Sequence, residues 1–125
     1  MMMDDIKRYG RLKSKALLEA DVNLAWMKES VRGEFIDFVA KYSPIDDVLG
    51  WYVGSTDDPE HALFHNHGVS RAMGIWHIKQ VPALQIAKEL EVELLDLLDA
   101  KGGEGGGSDK TVYIYAYKIT ASTIE

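Results

Sequence analysis

The chain has 125 residues, 46% hydrophobic and 27% charged, which suits one domain with a modest core and excludes wholesale disorder. It has no cysteine, which excludes a disulfide scaffold, a thiolate zinc site, an iron–sulfur cluster and a cysteine nucleophile. The net charge of −6 is uneven: residues 1–45 carry eight Lys/Arg against seven Asp/Glu, and residues 46–125 carry six against thirteen.

Residues 4–20 read as a basic, weakly amphipathic helix that contains Gly10. A second helix is predicted to open at Asp21, with Leu24, Met27, Val31, Phe35, Phe38 and Tyr42 recurring at steps of three and four. Gly33 leaves that phase intact, and Ser43-Pro44 ends it, since the residue before a proline is pushed out of the helical region. Val48 to Gly54 is aromatic and β-branched and reads as a buried strand. Asp58 is a good N-cap, Pro59 suits the first helical position, and a short helix is predicted to about His67 with Gly68 as its left-handed cap. Ile75 to Val81 reads as a second strand. Pro82 opens what reads as the longest helix, about 82–100, with Leu84, Ala87, Leu90, Leu94 and Leu98 on one face. Residues 101–108 read as a flexible glycine-rich loop. Thr111 to Ile119 is the final strand, with Tyr113, Tyr115 and Tyr117 on one face by period two. The expectation is a single α+β domain: a small three-stranded, mainly antiparallel sheet flanked by helices, with two extra N-terminal helices.

No apolar run approaches the roughly 20 residues that span a bilayer, and Met1 to Asp5 lacks the basic-then-apolar order of a signal peptide. A soluble, cytoplasmic protein with no membrane partner is expected. Five basic residues crowd between Lys7 and Lys15, whereas the remainder of the chain is acidic and repels polyphosphate. Arg8, Arg11 and Lys13 are therefore the candidates for holding DNA or RNA, set against the plainer reading of a solvated helix face.

Trp51-Tyr52-Val53-Gly54-Ser55-Thr56-Asp57-Asp58-Pro59 resembles the second half of the GIY-YIG nuclease signature. In that family a Tyr-Ile/Val-Gly strand end leads into a polar turn and a short helix that carries a catalytic arginine and then a histidine or tyrosine. A later helix carries an alanine four positions before a metal-binding glutamate. Ala87-Lys88-Glu89-Leu90-Glu91 is similar to that pattern, and His67 falls near the histidine's place. Thr111-Val112-Tyr113-Ile114-Tyr115 has the shape of the missing first half, with Thr111 where glycine usually stands, so residues 48–119 look like a circularly permuted GIY-YIG core. One departure is prominent: the arginine's place, eight residues beyond Gly54, is held by Ala62. Alanine offers neither the permanent charge nor the fork of donors that arginine brings to a phosphate.

The resemblance implies a single Mg²⁺ or Mn²⁺ at Glu91, with Tyr52 or Tyr113 positioning or deprotonating an attacking water. The plainer readings are a solvated carboxylate at Glu91, core packing at Tyr52, and cross-strand aromatic pairing in the tyrosine stripe. His61 and His65, at i and i+4, share a helix face that could chelate a transition metal with His67 or His77, or let His61 face phosphate beside Ala62. Two functions follow as expectations. One is a metal-dependent phosphodiesterase of DNA or RNA, inactive as written because of Ala62. The other is a non-catalytic module that uses the same cleft for nucleic acid, a nucleotide or a protein.

Overall fold

A computed structural model describes residues 2–43, 49–103 and 112–125, with side chains from Val22 onward. The chain divides into two compact units, Met1–Ser30 and Val31–Glu125. The first is wholly helical over residues 2–30, and its Val22, Leu24 and Trp26 are exposed. Helix α1 runs Met2–Tyr42 without a break, so the two predicted N-terminal helices are one, and this helix, not the one after Pro82, is the longest. Asp21 lies within it rather than capping a second helix. No proline occurs before Pro44, and a glycine such as Gly10 or Gly33 weakens a helix by only about 1 kcal/mol. The basic residues Arg8, Arg11 and Lys13 lie on α1, and their side chains fall outside the described residues.

The second unit holds the last turns of α1, strand β1 (Trp51–Thr56), a π-helical turn (His61–Asn66), β2 (Trp76–Gln80), helix α2 (Leu84–Leu97), β3 (Lys101–Gly102) and β4 (Tyr113–Lys118). The described strands form one mixed sheet in the order β2-β4-β1-β3. β4 is antiparallel to both β1 and β2, and β3 is parallel to β1. The fold is α+β as expected, but the sheet has four strands, not three. The fourth arises where a loop was expected, because Gly102 has no side chain. A Cβ there would lie 1.9 Å from the Val53 carbonyl oxygen. The rest of the glycine-rich stretch, residues 104–108, lies outside the described residues, as do Thr111, Pro44 and Val48.

Strand alternation gives the sheet two distinct faces. Trp51 and His77 lie on the face that meets α1, where Phe38 packs edge-on to Trp51 and stacks on His77, with Phe35 edge-on to the same imidazole. Val31 and Phe35 are buried, as their helical spacing predicts, whereas Leu24 and Tyr42 are exposed. The predicted stripe of α2 is buried at Ala87, Leu90 and Leu94. Arg32 of α1 pairs with Glu93 of α2, and Glu34 faces Lys79 and His77 at 3.3 and 3.5 Å. The opposite face carries Tyr52, Tyr115 and Tyr117, packed with Leu63, Val69 and Ile119. Among the described residues no helix is long and apolar enough to cross a membrane.

Candidate functional site

The site begins with one missing side chain. Gly54 of β1 stands directly opposite Tyr115 of β4. A Cβ on Gly54 would lie 2.5 Å from Tyr115 Cζ and Oη, so the phenol occupies space that only glycine leaves. Gly54→Ala should force the ring aside and cost about 1–3 kcal/mol, as overpacking does. A urea midpoint equal to that of the unsubstituted chain would contradict this placement of Tyr115.

The turn after β1 supplies the second part. Asp58 Oδ1 accepts the His61 N–H at 3.1 Å, the capping role its position predicts. The helix that follows is π rather than α: the His67 N–H reaches back five residues to the Ala62 carbonyl at 3.0 Å. The wider turn sets His67, not Asn66, beneath Ala62 and over the sheet, and π-turns recur at functional sites. Gly68 then takes a φ of +63°, the left-handed conformation predicted for it.

His67 is buried and central to a polar cluster. Its Nε2 lies 2.9 Å from Tyr115 Oη, and its Nδ1 lies 2.7 Å from the Ile124 carbonyl and 2.9 Å from Tyr117 Oη. Tyr117 also donates to Glu125 Oε2 at 2.8 Å. Tyr52 packs on the His67 ring at 4.4 Å between centroids and shares a hydrogen bond with Tyr115. A cavity of about 320 Å³ opens here, lined by Tyr52, Ser55, Ala62, His67, Tyr115 and Glu125 among others.

Burial is the main reason that both tyrosine hydroxyls hold their protons tightly. Tyr115 is pushed well above the ordinary phenol range by burial, then by Tyr52 and Glu91 nearby. Tyr117 is pushed up by burial and by its hydrogen bond to Glu125. A folded pKa above the unfolded value means the folded state keeps protons that the unfolded state loses. Stability should therefore be full below about pH 10 and fall as pH rises past it. Urea midpoints measured on both sides of that pH should show the slope, and Tyr115→Phe with Tyr117→Phe should flatten it. A slope untouched by the double substitution would show that these phenols are not its source.

Glu91 lies outside the cavity lining. It lies at 3% exposure on the buried stripe of α2, four residues after Ala87 and three before Leu94. Lys88 Nζ is 3.7 Å from its Oε1, and its Oε2 is buried without a hydrogen-bond partner among the described residues. Glu91 is thus not a solvated carboxylate beside Glu89 and Glu93. An isolated buried carboxylate oxygen is costly, and a cation is one way to satisfy it.

The structure brings together three of the residues singled out from the sequence, Tyr52, Ala62 and His67, at the cavity; Glu91 does not line it, though it is near enough to Tyr115 to disfavour its ionisation. Tyr113, two residues from Tyr115 and opposite Thr56, does not line the cavity. His61 is exposed and stacks on His65 at 5.1 Å, while His77 lies on the opposite sheet face. Among the described residues no group of three or more His, Asp or Glu is placed to hold a metal, so the histidine cage considered from spacing does not form. Tyr115, Tyr117, Ser55 and the Ile124–Glu125 segment are members that sequence reasoning missed. The alternation 113, 115, 117 does carry the tyrosines' shared face, but not which of them meets Tyr52. No protein-family model, curated protein or solved structure matches the chain.

Proposed function

We propose that the Tyr52–Tyr115–His67–Glu91 cluster is a metal-dependent phosphodiesterase site of the GIY-YIG kind, directed at DNA or RNA in the cytoplasm. As written it is inactive, because Ala62 stands where the arginine would. The observation that carries this reading is the Glu91 carboxylate, buried on an apolar helix stripe with one oxygen unpaired. One buried carboxylate suits a hard divalent cation that keeps most of its waters. Such an ion, Mg²⁺ or Mn²⁺, would supply Lewis-acid stabilisation of charge on phosphate oxygens.

The chain's own residues provide the proton path. Tyr52, Tyr115 and His67 form one hydrogen-bonded line from the cavity to an imidazole. Since Tyr115 resists becoming a phenolate, a proton taken from water at Tyr52 passes along the line in concert and comes to rest on His67. Tyr113 keeps only an indirect part, as the neighbour that packs along the same strand face. Arg8, Arg11 and Lys13 are the candidate contacts to nucleic-acid phosphates, and the salt slope of binding reports their share.

Calorimetric titration with Mg²⁺ or Mn²⁺ is the direct test. Binding is expected for the unsubstituted chain and should vanish in Glu91→Gln. Equal heats from both proteins would remove the metal from Glu91.

The second reading, a non-catalytic binding module, has one observation in its favour. Among the described residues lining the cavity there is no lysine or arginine to meet phosphate charge. If nucleic acid binds without ever being cut, that reading replaces the first.

A further inference from the structure

We infer that the segment Thr120–Glu125 is a positioning element for His67: the Ile124 carbonyl fixes the ring as its Nδ1–H tautomer, so that Nε2 presents a lone pair to Tyr115. The consequence for catalysis rests on the proposed phosphodiesterase reading, whereas the tautomer rests on geometry alone.

A carbonyl oxygen can only accept a hydrogen bond, so the 2.7 Å contact between His67 Nδ1 and Ile124 O requires the hydrogen on Nδ1. A neutral imidazole carries one N–H, which leaves Nε2 as the acceptor of the Tyr115 hydroxyl at 2.9 Å. The single proton of Tyr115 is then committed to Nε2. Tyr117 sends its own proton to Glu125 Oε2, and its oxygen, 2.9 Å from Nδ1, shares the imidazole hydrogen. The Nδ1–H and the hydroxyls of Tyr115 and Tyr117 thus each have an acceptor. The opposite tautomer would set two lone pairs against each other at Ile124 and leave buried groups unsatisfied.

The segment is built to hold this position. Thr120 N–H donates to Thr123 Oγ1, and that hydroxyl donates back to the Thr120 carbonyl, both at 3.0 Å, which turns the chain after β4. Ile124 then donates its N–H to the His67 carbonyl at 2.8 Å. One residue thus grips both the main chain and the ring of the histidine. During the proposed reaction water loses one proton and Nε2 gains one, while Tyr52 and Tyr115 each give one and receive one. The resulting imidazolium keeps its Nδ1–H on Ile124.

Long-range nitrogen–proton correlation spectra of the ¹⁵N-labelled full chain test the assignment. His67 should show a pyrrole-type Nδ1 and a pyridine-type Nε2. Removing residues 123–125 should shift both signals towards those of a free, exchanging imidazole. A pyridine-type Nδ1 in the full chain, or ring signals unmoved by the removal, would overturn the inference. The full-chain spectrum decides alone if the shortened chain does not fold. In an Ala62→Arg background the same removal should lower kcat about a hundredfold with little change in KM, the scale of a lost general base. The expected tautomer without any cleavage by that variant would leave the positioning role standing and remove the phosphodiesterase reading.

Discussion

Ala62→Arg is expected to turn the protein into a metal-dependent nuclease. Ala62 is 6% exposed in the wall of the 320 Å³ cavity, directly above His67 on the π-turn. An arginine there would extend into the cavity, where its fork of donors would meet a phosphate beside Tyr52. Loss of one such donor from a transition state typically costs about a hundredfold to a thousandfold in rate, so gaining it should raise cleavage from background to a measurable level. Labelled single- and double-stranded DNA and RNA should be cut with Mg²⁺ or Mn²⁺. EDTA or Glu91→Gln should stop the reaction, and the unsubstituted chain should cut none of them. A folded arginine variant that cleaves nothing under either ion would defeat the nuclease reading.

Phe35→Ala should cost about 3–5 kcal/mol of stability in the second unit, the usual price of emptying a fully buried aromatic site. Phe35 has no exposed surface and meets the His77 ring edge-on at 4.8 Å. Its removal would open a cavity between α1 and the sheet face that carries Trp51 and Val53. Trp26, on the same helix but 70% exposed, is the control, and Trp26→Ala should move the urea midpoint little. Equal losses from the two substitutions would mean that the packing of α1 is not as described.

Much of this was legible in the residues, and for local reasons. Asp58 and Gly68 mark the ends of a short turn through capping and backbone conformation, which depend on few neighbours. The Ala87, Leu90 and Leu94 stripe has helical period, and Glu91 falls on it. A carboxylate in phase with an apolar stripe is itself a signal of a buried, functional or costly group. What escaped depends on distant partners or on one-residue changes of register. The pairing of Gly54 with Tyr115 rather than Tyr113 is set by the alignment of strands 60 residues apart, and nothing in either strand alone distinguishes the two tyrosines. The parallel β3 needs Val53 to receive it, and a lysine followed by a glycine has no strand propensity of its own. Thr120–Glu125 has neither apolar period nor charge pattern, and its role exists only where it touches His67.

The π-turn also makes the site tolerant of a change in chain length. Five residues separate Ala62 from His67 along the sequence, yet one wide turn stacks them as neighbours. An ordinary α-helical turn achieves the same stacking with four. Asn66 is exposed, so a chain shortened by that one residue would tighten into α-helical spacing and still carry the histidine beneath Ala62. The turn between Ala62 and the imidazole should therefore be able to lose a single amino acid while the hydrogen bonds of the ring keep their partners.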